Sequence, residues 1–356
     1  MIAPAETEFR QQLPFLLKAF GLSAHFDFKT LDSGHINHSF VLLSAVTPVW
    51  VLQRINTRVF SNPPAIAQNW KRAWKHIQSV DKQYKMLMFV PAADGNDYAI
   101  TPDGSYWRLM PFVNHSVCYT KVTETSIAKE AAHAFGRFGA LLATANPCDF
   151  SVILNNFHNV SYRKLQLTQS LKAAEPNRLK QAKPILERLE KFDWIEQYFV
   201  KIQAKLPLRI VHMDAKISNV LFDANGKVLN IIDFDTLMPG TLLSDAGDLV
   251  RSMACDASED ETDPEKVKVN TGLVEAMLEA YRSEVLTIAT PFEISNLPFG
   301  ALMLVYMQSM RFIADFLQQD SYYQISYPEQ NLRRAYSQLL ILEQLRKMPA
   351  FSDFAS

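Results

Sequence analysis

Apolar residues recur along the first third of the chain in short runs cut by turn residues. FDFKTLD (26–32), HSFVLLSA (38–45) and PVWVLQRIN (48–56) have the length and the β-branched and aromatic content of strands. NPPAIAQNWKRAWKHIQSV (62–80) changes to helical spacing and opens on Asn62-Pro63, a helix-start signal. YAITPDG and YWRLMPFV return to strand character around the turn residues Pro102, Asp103 and Gly104. Ahead of these, Phe9, Leu13, Leu16 and Leu17 share one side of a short amphipathic helix. The pattern predicts a mostly antiparallel sheet with one helix packed on it.

Past Val113 the spacing becomes helical. SIAKEAAHAFGRFGALLATA (126–145) puts Ile127, Ala131, Phe135, Phe138 and Leu142 near one face. Residues 178–205, 266–285 and 293–347 form further helical stretches, the last interrupted at QDSYYQISYPEQN. The predicted fold class is α+β: a small β-rich lobe at 1–113, then a larger helical lobe at 114–356.

Composition narrows the class. The chain has 356 residues, 48% hydrophobic and 21% charged, as in an ordinary soluble globular protein. A net charge of -1 supplies no field for nucleic acid or an anionic membrane, so neither is an expected partner. NRLKQAKPILERLEK reads as the solvated face of a helix, and DASEDETDPEK as an exposed acidic loop. Cys118, Cys148 and Cys255 are far apart and odd in number, which disfavours a disulfide framework and suits a reducing compartment. The opening residues lack the pattern of a secretory leader, and no run approaches the roughly 18 apolar residues of a membrane span. The expected location is the cytoplasm.

Chemistry concentrates in IVHMDAKISNVLFDANGKVLNIIDFDT (210–236). Asn225-Gly226 between two apolar runs signals a tight hairpin, because both residues tolerate positive φ. With a two-residue turn, Phe222 faces Leu229 and Asn219 faces Ile232, so Asn219 stands at the open end beside Asp233. An amide carbonyl and a carboxylate are hard oxygen ligands suited to Mg²⁺, which keeps waters and substrate phosphates in its other positions. Asp214, in the loop entering the hairpin, is placed to accept a hydroxyl proton. The combination is what phosphoryl transfer requires. Asp235 is an alternative or supporting metal residue, and an ordinary hairpin with polar ends is the bland reading. His212 is expected to prop the loop, and Asp245 and Asp248 to accept backbone N–H bonds beneath it.

HMDAKISN followed by IIDFD resembles the H-x-D-x-x-x-x-N and I-D-F/L signatures of the aminoglycoside phosphotransferase and choline kinase superfamily. That resemblance implies a protein-kinase-like fold, Asp214 as catalytic base, and Asn219 and Asp233 as Mg²⁺ ligands. LDSGHINHSF, WVLQRINTRVF, DFDTLMPGTLLSDAGDLVRS, MRFIADFLQQDSYYQI and YPEQNLRRAYSQL together resemble the N-acetylhexosamine 1-kinases. Those enzymes use ATP to phosphorylate the anomeric hydroxyl of N-acetylglucosamine or N-acetylgalactosamine. The resemblance assigns His35, Arg311 and Tyr322 to the sugar. Read alone, Arg311 pairs with Asp315 one turn on, Tyr322 is core, and His35 belongs to a turn.

The nucleotide parts depart from the superfamily pattern. DSGHINHS carries one glycine, Gly34, as a phosphate-covering loop or an ordinary β-turn. No Walker or Rossmann glycine run exists. WVLQRIN has no lysine, so Arg54 is the expected phosphate cation, or else a surface arginine; Gln53 cannot serve as one. The following helix has no orienting glutamate, and Gln68 is the nearest substitute. RLMPFVN falls where the resemblance places the segment joining the lobes, with adenine against backbone groups from Met110 to Val113. The same residues fit a kinase for another sugar, homoserine, choline or an aminoglycoside, or a nucleotide-binding module without catalysis.

Overall fold

A computed structural model describes residues 4–22, 25–31, 36–122 and 124–355. Helix α1 (Pro4–Ala19) precedes strands β1 (Asp27–Leu31), β2 (His38–Ser44) and β3 (Thr47–Arg54). Helix α2 (Pro63–Val80) and strands β4 (Ala99–Ile100), β5 (Tyr106–Pro111) and β6 (Val117–Cys118) follow. Five strands form one antiparallel sheet in the order β1-β2-β3-β5-β4. Phe9, Leu13 and Leu16 of α1 pack with Phe40, Leu42, Leu52, Trp107 and Leu109 of that sheet. The rings of Phe9 and Phe40 stack with centroids 3.7 Å apart. The Asn62 side chain accepts from the Ala65 amide at 3.2 Å, so the Asn-Pro pair opens α2 as its sequence suggests.

Helices α3 (Thr125–Leu141), α4 (Val160–Ala173), α5 (Pro176–Leu189) and α6 (Trp194–Ile202) come next. Strand β7 (Arg209–Val211), hairpin strands β8 (Val220–Phe222) and β9 (Val228–Ile231), and β10 (Met238–Gly240) lead to four more helices. These are α7 (Leu242–Met253), α8 (Thr271–Val285), α9 (Pro291–Leu317) and α10 (Gln330–Leu345). Strand β8 lies between β6 and β9, and β7 pairs with β10. The fold is α+β and protein-kinase-like, with an antiparallel sheet in the N-terminal part and a mainly helical C-terminal part. Two helices were not expected from the spacing of apolar residues: α4, and α7, which buries Ser244, Asp245 and Asp248 along with its apolar side chains.

The chain forms two compact units, one of residues 1–118, 148–154 and 220–238, the other of 119–147, 155–219 and 239–356. This differs from a single break after Val113, because two later segments return to the first unit. Ile153 and Leu154 pack against the Ile55, Phe60 and Ile66 cluster. Phe234 meets the Trp70 ring edge-on at 4.9 Å, and Asn69 donates to the carbonyls of Ser151 and Leu237. In the second unit, α9 is apolar and long enough to cross a membrane, yet 89% of its apolar window is buried in that unit's core. Helix α7 lies directly on α9: a Cβ added to Gly247 would stand 2.2 Å from the Gly300 carbonyl oxygen. Only glycine permits that approach, and it sets the depth at which α7 carries its acidic residues.

Candidate active site

In the second unit, β7 delivers the chain to the Asp214 loop. The amides of His212 and Met213 donate to the two carboxylate oxygens of Asp245 on α7, at 2.9 and 2.8 Å. This is the supporting role expected of Asp245; Asp248 instead pairs with Arg251 at 2.5 Å. Asp245 is fully buried, and burial pushes its carboxyl up to about 6 against the pull of His212 and the two amides. His212 is fully buried with its ring edge-on to Phe135 at 5.1 Å. Met213 has φ +66°, a conformation that a side chain of this size adopts only when its surroundings enforce it.

Asp214 is held from one side. Its Oδ2 accepts from Lys216 Nζ at 2.7 Å and from Asn219 Nδ2 at 2.9 Å. Among the described residues none donates to Oδ1, which leaves that oxygen available to a hydroxyl. Burial pushes the carboxyl up, but the Lys216 ammonium, His212 and Asn219 outweigh it and hold the group at about 2. Asp214 is therefore a carboxylate at any physiological pH. Asn219 Nδ2 also donates to the Asp214 carbonyl at 2.9 Å, so its amide nitrogen is committed and its carbonyl oxygen Oδ1 remains. A divalent cation takes that kind of atom, so the donor chemistry of Asn219 fits a Mg²⁺ ligand. Lys216, two residues past Asp214, went unassigned in the sequence although its spacing from Asp214 was readable.

In the first unit, Val220 pairs with Ile231 and Leu221 with Asn230, so the open end of the hairpin has the expected register. The turn end does not: the register shifts after Leu221 and Phe222 pairs with Val228. Asp223 is the cause. Its Oδ1 accepts from the amides of Asn225 and Lys227, and its carbonyl from Gly226 at 3.1 Å, making a longer turn in which Gly226 alone has positive φ. Asp233, two residues past β9, has φ +64°. Asp235 is 2% exposed and engaged on both oxygens, by Arg108 and by Asn37 Nδ2 at 2.7 Å. The metal role that the sequence left open to it is taken up by protein contacts.

Gly34 and His35 lie outside the described residues. Arg54 is turned to other partners than the phosphates expected for it: Glu8 at 2.9 Å, Ser105 Oγ at 2.7 Å and Asp103 at 3.5 Å. Strand alternation puts its neighbour Gln53 on the opposite face, where Gln53 Oε1 accepts from Arg108 and Gln53 Nε2 donates to Ser39. Among the described residues the buried cation of this unit is thus Arg108, which stands opposite Gln53 on β5 and pairs with Asp235. Gln68 is exposed on α2 and, among the described residues, orients no cation.

The segment expected to meet adenine is ordered by strand alternation. Tyr106 and Phe112 bond toward β3, whereas the Leu109 carbonyl bonds toward Val90 at 2.8 Å. Met110 therefore directs its backbone groups to Val51 of β3, and the carbonyl of Pro111 and the amide of Val113 face the open edge. The Val113 carbonyl is held by Ser116 Oγ at 2.7 Å.

Back in the second unit, Arg311 does not pair with Asp315. Asp315 accepts from the amides of Tyr322 and Tyr323 and from Asn331, which fastens the loop after α9. Arg311 lies over the rings of Phe157, Tyr322 and Tyr323 at 5.5, 5.9 and 5.5 Å and donates to Gln308. Tyr322 is 57% exposed, so it is not core. Around this group stand residues that no motif marked. Arg163 of α4 donates to the Phe157 carbonyl, and the His158 ring stacks on Phe157 at 4.6 Å. Burial first, then the charges of Arg311, Arg251 and Arg163, hold the His158 imidazole down at about 3, although Asp214 opposes them. The imidazole is neutral.

Fold and loop together define a kinase-type phosphotransferase. A family model described as the phosphotransferase enzyme family matches residues 27–282, and the chain belongs to that family. Solved structures share the fold across nearly whole chains at low identity. A microcompartment-associated aminopropanol kinase matches with TM-score 0.63 and 15% identity over 98% of this chain and 100% of its own. A choline/ethanolamine kinase family protein from Mesorhizobium loti matches with TM-score 0.60 and 14% identity, over 98% and 97%. Amicoumacin kinase, in complex with AMP-PNP, Ca²⁺ and Ami, matches with TM-score 0.58 and 16% identity, over 99% and 98%.

Proposed function

We propose that this phosphotransferase transfers the γ-phosphate of ATP to the anomeric C1 hydroxyl of an N-acetylhexosamine, N-acetylglucosamine or N-acetylgalactosamine. The observation that carries the reading is the state of Asp214: ionised, fixed through Oδ2, with Oδ1 accepting from no described residue. Asn219, through Oδ1, and Asp233 would hold Mg²⁺. When bound, the ion neutralises charge on the phosphate oxygens. The C1 hydroxyl donates to Asp214 Oδ1 and its oxygen bonds to the γ-phosphorus. The bond from that phosphorus to the β,γ-bridging oxygen breaks, and ADP leaves with the electron pair. The hydroxyl proton passes to Asp214. A carboxylate held at about 2 is a weak base, so transfer comes late and the main contribution of Asp214 is orientation.

Lys216 and the backbone of the Gly34 loop are assigned to the phosphates in place of Arg54, whose donors are engaged elsewhere. Adenine is assigned to the Pro111 carbonyl and Val113 amide. His35, Arg311 and Tyr322 are assigned to the sugar, with Tyr322 and Tyr323 as aromatic surface. The test is a coupled ADP-release screen over N-acetylglucosamine, N-acetylgalactosamine, glucose, homoserine, choline and an aminoglycoside, with ³¹P NMR of the product. Release on the N-acetylhexosamines with a sugar 1-phosphate product is expected. Release on choline, homoserine or an aminoglycoside alone would replace the acceptor.

A further inference from the structure

Asp214 and the guanidiniums of Arg163, Arg251 and Arg311 all stand within electrostatic reach of His158. Asp214 is matched by Lys216, and Arg251 by Asp248. Arg163 and Arg311 remain. Among the described residues neither has a carboxylate within ion-pair distance: Arg163 binds the Phe157 carbonyl and Gln166, and Arg311 binds Gln308 and three aromatic faces. Phe157 joins the two, with one guanidinium on its carbonyl and the other over its ring. His158 stacks on that same ring, and its Nδ1 is buried without a partner. No described residue bonds its Nε2 either, although that atom is not among the buried unpartnered ones.

We infer that the acceptor side of Asp214 is built to admit molecules without positive charge and to turn cations away, through Arg163, Arg311 and the ring of His158. This deepens the proposed reaction and rests on the reading of Asp214 as the residue that meets the acceptor. Two guanidiniums without carboxylate partners repel an ammonium, while their donors and the open nitrogen of His158 suit carbonyl and hydroxyl oxygens. A site made for a cation would present the opposite arrangement, with carboxylates or open aromatic faces. Here one face of each of Phe157, Tyr322 and Tyr323 already meets the guanidinium of Arg311.

The test uses sugars matched except for charge: glucose, glucosamine and N-acetylglucosamine at pH 6.5, where the glucosamine amine is protonated. Turnover is read by ADP release and equilibrium binding by saturation-transfer NMR with AMP-PNP present. Glucosamine is expected to fall at least about tenfold below both uncharged sugars. In Arg163→Gln and Arg311→Gln the ratio of glucosamine to glucose rises, because charge leaves and a hydrogen-bonding group stays. Glucosamine used or bound as well as glucose, or a ratio unmoved in both variants, overturns the inference. Loss of N-acetylglucosamine turnover with another uncharged acceptor still preferred over its cationic twin removes the proposed acceptor and leaves the charge selection standing.

Discussion

Removing Asp235 isolates a buried charge. Arg108 and Asp235 are each 2% exposed, and Asp235 supplies the carboxylate that faces the guanidinium. In Asp235→Ala, Arg108 retains Gln53 Oε1 and the rings of Trp70 and Phe89 at 5.4 Å, none of which carries charge. Breaking a buried pair from one side costs about 3–5 kcal/mol, a large fraction of the roughly 5–15 kcal/mol that stabilises a domain. With a urea m-value of about 2 kcal/mol/M, the midpoint falls by roughly 1.5–2.5 M. Tryptophan fluorescence reports this unit well, because Trp50, Trp70, Trp74 and Trp107 lie in it and only Trp194 lies in the other. The double variant Arg108→Met/Asp235→Leu removes both charges and should cost less than the two single losses added. A loss below about 1 kcal/mol in Asp235→Ala would mean that water reaches the pair or that the pair does not form.

Two further outcomes concern the support beneath the Asp214 loop. Because burial raises the Asp245 carboxyl to about 6, the folded state binds that proton more tightly than the unfolded chain does. Its contribution to stability is complete below about pH 4 and is lost as pH rises through 6, by at most about 3 kcal/mol. Urea unfolding between pH 4 and 7 should show that slope in the native chain and lose it in Asp245→Asn. In Gly247→Ala the new methyl meets the Gly300 backbone at 2.2 Å and α7 must move off α9. A destabilisation of about 1–3 kcal/mol is expected, together with lower kcat, since α7 carries Asp245; unchanged thermal unfolding would refute the close packing.

Much of this was legible in the residues because it rests on local pattern. Strand and helix positions from Asp27 to Pro111 follow apolar spacing and turn residues, and the open-end register of the hairpin follows from the alternation of two apolar runs. The turn itself was not legible: the Asp223 side chain caps two amides and selects a longer loop than Asn225-Gly226 alone would make. Arg108 was hidden because its partner lies 127 residues away and the pairing depends on the β3–β5 register. Helix α4 buries Val160, Leu167 and Ser170 but presents no continuous apolar stripe, so Arg163 had no element to stand on. Helix α7 keeps its apolar residues in helical spacing, but Ser244, Asp245 and Asp248, polar residues that are buried with them, hid it. The left-handed backbone at Met213 leaves no trace in residue type, whereas Asp233 is of a type that tolerates it.

The most direct measurement is the turnover of Asp214→Asn on N-acetylglucosamine, set beside its affinity for ATP. Asparagine keeps the size of the side chain and its place beside Lys216 and Asn219 but cannot take the hydroxyl proton. The account predicts a loss of several orders of magnitude in kcat, roughly 10²–10⁴-fold, with nucleotide affinity nearly unchanged. Native turnover in Asp214→Asn would contradict it.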